Sequence, residues 1–414
     1  MQCKLYEVKD MILKRDIELA LKAQCEQLTF SAGTINRDFI SVFQPTGNHI
    51  EVISGVRRCG KSTLMKQIIN SRYKNTAYFN FEDARVHGFE VGDFPKMDEL
   101  IGRGIDAYFF DEIQNVPSWE LFIRQLHDRK EKVYITGSNA SLLSKELGTR
   151  LTGRHLRHEL FTFSYIEFLR YRKLENNPSS FDDFNRLGGF PEFLDSGNPE
   201  ILQNMLKDIV LRDIAIRYGI RNTGSLMDIT FFLLSNIGKE FSYNNLKKTF
   251  SLGSANTVSD YLTWLGDSYL FFYLPRFSWS AKSIALNPRK VYVVDNGLIN
   301  ANTLSFSKDK GRLLENAVFL FLRQQNFRCF YFRENHECDF VVFDNQKCKM
   351  LIQVCEEINS DNLKQEMDGL LEAMKYFGLK EGYILTRDQK DELRDKDLRL
   401  HVVPIHQYIT YPNL

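Results

Sequence analysis

The residues best suited to do chemistry are Gly55-Val56-Arg57-Arg58-Cys59-Gly60-Lys61-Ser62, which fit the pattern GxxxxGK[ST]. Two glycines let a backbone curl until successive N–H groups face one anion. An apolar run, Ile50–Ser54, precedes the motif, and a helical pattern, Lys61–Asn70, follows it. That context is what the mechanism needs, because a helix N-terminus adds partial positive charge to the cradle. The expected chemistry is the binding of a nucleoside triphosphate, read here as ATP. Gly55, Val56, Arg57, Arg58, Cys59, Gly60, Lys61, Ser62 and Thr63 would surround its phosphates. Lys61 would reach the β- and γ-phosphates, and Ser62 would hold Mg2+.

Tyr108-Phe109-Phe110-Asp111-Glu112 supplies the other half of such a site. An apolar strand ending in two acids is the Walker B arrangement. Asp111 would hold Mg2+ through water, and Glu112 would polarise the attacking water. A glutamate directly after the metal aspartate favours hydrolysis over mere nucleotide sensing. Val133-Tyr134-Ile135-Thr136-Gly137-Ser138-Asn139 is a further strand that ends in polar residues. It resembles the sensor-1 position of AAA+ ATPases, where Asn139 or Ser138 would orient the lytic water. The other reading is a turn capping a helix over 140–147. Thr149-Arg150-Leu151-Thr152-Gly153-Arg154 adds two arginines. Arg154 reads either as an arginine finger given to a neighbouring subunit or as a surface ion pair. Asn80 and Glu82, at the end of the second apolar run, would couple the site to a partner.

These residues need a scaffold. Short apolar runs at Ile50–Ser54, Ala77–Phe81, Ala107–Phe110 and Val133–Thr136 alternate with helical stretches at Lys61–Asn70 and Ser118–Arg129. The second helix is opened by Pro117. Buried runs alternating with helices imply an α/β fold with a parallel sheet covered on both faces. Residues 1–48 read as mostly helical and peripheral. Residues 156–235 read as mainly helical, including Ile201–Tyr218, with a turn at Leu187-Gly188-Gly189-Phe190-Pro191. Three domains are expected: a P-loop ATPase domain at 1–195, a helical and winged-helix domain at 196–290, and a nuclease-like domain at 291–414.

Composition bounds the functions open to such a chain. In 414 residues, 54 basic residues face 53 acidic ones, a net +1. That excludes an overall cationic coat for nucleic acid but allows a local basic patch. Seven dispersed cysteines do not form a disulfide framework. No apolar run approaches the roughly 18 residues that cross a bilayer. A reducing, cytoplasmic setting without a membrane partner is the expectation.

The motifs together resemble one family. The carrying stretches are GVRRCGKSTL, YFNFED, FFDEIQNVPSWE, ITGSNASLLS, LTGR, FSYIEFL and GGFPEFL, then FSYNNLKKTF, ANTVSDYL, GRLLENAVF, ECDFVVF and LIQVC. From about residue 45 onward the chain resembles bacterial and archaeal AAA+ ATPases with an AAA_14 domain and a C-terminal DUF4143 domain. The resemblance implies a P-loop ATPase, a winged-helix segment and a nuclease-like end. AAA+ kinship also suggests a ring, and so a homo-oligomer.

Two later segments carry weaker chemistry. Phe241–Lys248, a turn at Leu252-Gly253-Ser254 and Ala255–Trp264 read as a helix-turn-helix, with Val258, Tyr261, Leu262 and Leu265 turned inward. From Lys239 to Lys290 seven basic residues face three acidic ones. Such a patch suits phosphate contacts with DNA, although winged helices also serve as AAA+ lids and protein contacts. The last part reads as αβββαβ, which resembles the PD-(D/E)xK nuclease core. Glu315 and Asp339 fall where metal ligands belong. The expected Glu-x-Lys is replaced by Gln353-Val354-Cys355, and Lys364 on the next helix is a candidate substitute that the sequence does not require. Glu337 is expected to face away from Asp339. Nuclease activity is therefore not expected. Cys329, His336, Cys338, Cys348 and Cys355 lack the paired spacing of a zinc site.

The function expected is Mg2+-dependent ATP hydrolysis, coupled to DNA or to an unidentified protein partner. The alternatives are a slow nucleotide-gated switch or DNA-binding module, and an active metal-dependent nuclease.

Overall fold

The computed structural model describes residues 12–28, 35–139, 151–303 and 310–410. By their contacts the residues fall into two units. The first runs to Leu160 without Val56–Cys59; the second holds Val56–Cys59 and everything from Phe161 onward.

The first unit is built on five strands: β1 (Ile50–Ser54), β2 (Thr76–Asn80), β3 (Ala107–Asp111), β4 (Val133–Gly137) and β5 (His155–Glu159). They lie in the order β2-β3-β4-β1-β5, and every pairing is parallel. The three inner strands, β3, β4 and β1, are buried at every position. This is why they read as unbroken apolar runs. Helices α1 (Lys14–Leu28), α2 (Lys61–Arg72), α3 (Phe94–Ile101) and α4 (Glu120–Asp128) belong to this unit. Phe94 stacks on Phe122 with ring centroids 4.3 Å apart, tying α3 to α4.

Two expectations change here. The N-terminal helix is not merely peripheral, because Ile17 and Ala20 of α1 are fully buried in the core. Its Gln24 also closes the edge of β2. The Asn80 N–H donates to Gln24 Oε1 at 2.8 Å, and Gln24 Nε2 donates to the Asn80 carbonyl at 3.2 Å. A side-chain amide thus occupies main-chain groups that an edge strand would otherwise leave open. The fifth strand, β5, falls in a stretch expected to be helical. Its sequence, His-Leu-Arg-His-Glu, is only half-buried and carries no apolar run.

The second unit opens with helices at Tyr165–Arg172, Pro178–Leu187, Pro191–Ser196 and Glu200–Lys207, a π-helical stretch at Asp208–Ile216, and a helix at Thr223–Ser235. Then come β6 (Glu240–Phe241), α5 (Tyr243–Thr249), α6 (Ala255–Asp267), β7 (Phe271–Pro275) and β8 (Arg289–Val293). Ser242 and Ser254 cap α5 and α6 by accepting from backbone N–H groups. The strands make an antiparallel sheet in the order β6-β8-β7. As expected, Val258, Tyr261, Leu262 and Leu265 form the buried face of α6.

Last come α7 (Lys310–Gln324), β9 (Arg328–Arg333), β10 (Glu337–Asp344), β11 (Lys347–Val354), α8 (Leu363–Phe377), β12 (Glu381–Thr386), β13 (Asp391–Asp395) and β14 (Leu398–Pro404). Their sheet runs β13-β14-β12-β11-β10-β9. The expected αβββαβ order is present, and a hairpin, β13-β14, extends it. That hairpin begins with Asp-Glu-Leu-Arg-Asp, whose charges hide its strand character. Among the described residues no helix is long and apolar enough to cross a membrane.

Candidate functional site

The carboxyl ends of the parallel strands gather the expected nucleotide residues of the first unit. Gly55 follows β1, and Gly60 caps α2 in a left-handed conformation (φ 99°) that glycine adopts without strain. Lys61 opens the helix and is buried. Its Nζ donates to the Gly55 carbonyl at 3.3 Å and lies 3.3 Å from Glu112 Oε1. Ser62 and Thr63 continue the first turn. The lysine of one motif thus meets the glutamate of the other.

Asp111, the last residue of β3, is fully buried and richly held. It accepts from Tyr78 Oη at 2.8 Å, from Thr136 Oγ1, and from the Ser62 hydroxyl. Thr136 Oγ1 in turn accepts from the Glu112 N–H at 2.9 Å. Tyr78 and Thr136 sit on the strands flanking β3, and sequence reasoning gave neither a role. The signal was faint: a tyrosine and a threonine inside strands are ordinary strand formers. Glu112 adopts a left-handed backbone (φ 52°), which is uncommon for a non-glycine residue. Gln114 Nε2 donates to Glu112 Oε2. That bend turns the glutamate off the strand toward Lys61.

Burial pushes the Asp111 carboxyl above its usual pKa, and the neighbouring Glu112 charge adds to the shift. The hydroxyls of Ser62, Thr136 and Tyr78 pull it the other way. Burial and Asp111 together raise the Tyr78 phenol far above its ordinary value, so Tyr78 stays a donor. A buried carboxylate beside a serine hydroxyl is a hard oxygen set that suits Mg2+, an ion that keeps several waters and leans on substrate phosphates. The residues present fit that ion.

The other expected residues divide. Ser138 and the buried Asn139 follow β4 at the same edge of the sheet as Asp111. Asn80 ends β2 there too, but its Oδ1 accepts from the Glu82 N–H at 2.8 Å. Val56–Cys59 group with the second unit. There Arg57 Nη1 lies 3.2 Å from Asp213 Oδ1 and Arg58 Nη1 lies 2.8 Å from Glu192 Oε2. Arg154 is not brought to the phosphate loop. It precedes β5, whose register sets His155 beside Ile50 at the start of β1. It therefore lies at the opposite edge of the sheet, with Nη1 3.9 Å from Asp128. The helix expected over 140–147, Thr149 and Arg150 lie outside the described residues.

A second cluster forms around the expected nuclease residues. Lys290 of β8 places Nζ 2.9 Å from Glu315 Oε1, 2.7 Å from Glu337 Oε1 and 2.9 Å from Asp339 Oδ1. Tyr292 Oη donates to Glu315 Oε1 at 2.6 Å. This corrects the expectation for Glu337: residues two apart on a strand share a face, and Lys290 meets both acids. It also puts Lys290, not the exposed Lys364, among the carboxylates. Three carboxylates face one ammonium. Burial therefore pushes Glu315 up to about 7 against the pull of Lys290. Burial opposes the Lys290 charge, but Asp339, Glu315 and Glu337 hold its pKa well above the usual value.

With this geometry in view, known proteins can be set beside the chain. A family described as an AAA domain, AAA_14, matches residues 47–169. An uncharacterized protein of Methanocaldococcus jannaschii is 35% identical, over 99% of this chain and 98% of its own. The chain belongs to one family with this archaeal protein, and its residues 47–169 are an AAA_14 domain. A second protein, from Haemophilus influenzae, is 30% identical over 78% of this chain and 86% of its own. The AAA domain holds the strands that carry Asp111 and Thr136 and the phosphate loop. A domain of unknown function, DUF8612, matches 179–309. Among solved structures, the Aeropyrum pernix ORC1 protein in complex with DNA aligns with a TM-score of 0.26 at 14% identity. It covers 72% of this chain and 94% of that one. A Pyrococcus horikoshii STAND protein with a tetratricopeptide repeat sensor aligns with a TM-score of 0.28 at 13% identity, covering 71% and 46%.

Proposed function

We propose that the chain is an Mg2+-dependent ATPase. The carrying observation is the meeting of Lys61, Asp111 and Glu112 at one edge of a parallel sheet, beside the glycine loop. Lys61 would bind the β- and γ-phosphates, and the amides around Gly60 would cradle them. Ser62 and Asp111 would hold Mg2+, which neutralises charge developing on the transferred phosphoryl oxygens. Glu112 would take a proton from the attacking water, and Asn139 or Ser138 would orient that water. Glu112 is engaged by Lys61 and Gln114. Phosphates that draw Lys61 away would free Glu112 to act, which ties readiness for hydrolysis to occupancy. That engagement also favours the slower reading, a nucleotide-gated switch.

Lys61→Ala should abolish binding of a fluorescent ATP analogue. Glu112→Gln should keep binding and lower multiple-turnover hydrolysis by about 10²-fold or more. Wild-type turnover by Glu112→Gln would sink the base assignment.

The helix pair α5 and α6 with the sheet β6-β8-β7 supports a winged-helix reading and a DNA contact. The αβββαβ order supports a nuclease-like, catalytically silent end of the DUF4143 kind. Arg154 at the far sheet edge fits an arginine finger only toward another subunit, and so only in a homo-oligomer. A protein partner in place of DNA is the competing occupant.

A further inference from the structure

We propose that the Lys290 ammonium is the resident cation of the αβββαβ core, seated among Glu315, Glu337 and Asp339 so that this end of the chain takes no divalent metal. The claim concerns the second unit alone and stands whether or not ATP is hydrolysed.

The oxygens that would ligate a metal are already committed. Glu315 Oε1 accepts from both Lys290 Nζ and Tyr292 Oη. Asp339 Oδ1 accepts from Lys290 Nζ at 2.9 Å, and Asp339 Oδ2 accepts from the Val354 N–H at 3.0 Å. Gln353 stands where a third-strand carboxylate belongs, and its Oε1 accepts from the Asp339 N–H at 3.2 Å. Its amide nitrogen is spent on Glu366 Oε2 at 3.0 Å. The cation itself is no surface residue: the Lys290 side chain is 2% exposed. An ammonium offers three donors; here two go to Glu315 and Asp339, and Glu337 Oε1 lies 2.7 Å away. A divalent ion placed among these oxygens would have to displace a buried positive charge and then share its seat with it.

The lysine comes from outside the nuclease-like core. Lys290 lies on β8, in the antiparallel sheet β6-β8-β7, while its partners lie on α7 and β10. The ion cluster therefore fastens that sheet to α7 and β10. Breaking one side would leave buried charge uncompensated, which is far costlier than losing an exposed pair. The arrangement trades a metal for a covalently supplied cation, and with it any metal-activated water.

Full-length, nucleotide-free protein titrated with Mn2+, with free ion read by electron paramagnetic resonance, tests this. Mn2+ bound elsewhere is common to all variants. Wild type and Asp339→Asn should bind equal numbers of Mn2+ per chain. Lys290→Ala, which vacates the seat, should bind one more, and Lys290→Ala/Asp339→Asn should lose it again. Loss of one Mn2+ in Asp339→Asn alone would overturn the proposal, because the metal would already be there. A folded Lys290→Ala that binds no more than wild type would overturn it equally. Should Lys290→Ala fail to fold, the Asp339→Asn comparison decides.

Discussion

Thr136 joins Asp111 and Glu112 of the proposed nucleotide site through one hydroxyl. It donates to Asp111 and accepts from the Glu112 N–H at 2.9 Å. Replacing it with valine keeps the shape but removes both bonds. Asp111, whose ionised form burial already disfavours, then loses a donor that pulls the other way. The expected outcome for Thr136→Val is a Mg2+ requirement raised about 10- to 150-fold, the equivalent of one lost hydrogen bond to a charged group. A Mg2+ titration of ATPase activity measures it, with Mg2+-free nucleotide binding as the control. Unchanged Mg2+ dependence would show that Thr136 only fills space. Lys61, Asp111 and Glu112 were legible in the sequence because motif spacing fixes them on known ends of strand and helix. Thr136 and Tyr78 were not, because their roles depend on which strands are neighbours. Strand order is set by long-range pairing that no local pattern records.

At the scale of elements, the second unit is held by close approaches and by one buried acid. Gly369 of α8 lies against β10 so tightly that a Cβ there would collide with the Glu337 carbonyl. Gly369→Ala must push the helix off the sheet. The expected loss is about 1–3 kcal/mol, as for other overpacked sites, seen as a lower urea midpoint. Asp295 makes a different kind of joint. It accepts from Thr162 Oγ1 at 2.9 Å, from the Gly189 N–H at 2.7 Å and from the Gly297 N–H at 2.8 Å. Burial nevertheless pushes its carboxyl up to about 6. The folded state therefore binds more protons than the unfolded state between the ordinary aspartate range and about pH 6. Stability from this group is full below that window and is lost as pH rises through it, by on the order of 3 kcal/mol. Denaturation at about pH 5 and about pH 7 should show a loss in wild type that shrinks in Asp295→Asn; an identical loss in both would reject the assignment. The helices here were largely legible from apolar residues at helical spacing, as at Ile201–Tyr218. The strands β5 and β13 were not, because edge strands with one wet face carry charges instead of apolar runs.

At the scale of the whole chain, the net charge of +1 hides an uneven distribution. The stretch from Lys239 to Lys290 carries a local +4. Part of that charge is now accounted for, since Lys290 is buried among carboxylates and cannot reach a phosphate. The charges left for DNA include Lys247 and Lys248 in the last turn of α5, together with Lys282 and Arg289, whereas Arg276 is engaged by the Arg333 carbonyl and lies 3.8 Å from Glu334. A patch this small can neutralise only a few phosphates. Binding should therefore be weak and should fall with salt at a slope of about −0.9 per phosphate contacted. The sequence overcounted this patch for a physical reason: composition assigns every lysine to solvent, and only tertiary packing shows which one is spent internally. If the ATPase is coupled to DNA, short duplexes at low salt should raise multiple-turnover hydrolysis. Lys247→Ala/Lys248→Ala should blunt that stimulation while leaving the rate without DNA unchanged. Stimulation that survives the double substitution would place the DNA contact elsewhere. No stimulation at any salt, together with a burst near one turnover, would instead favour the nucleotide-gated switch with a protein partner.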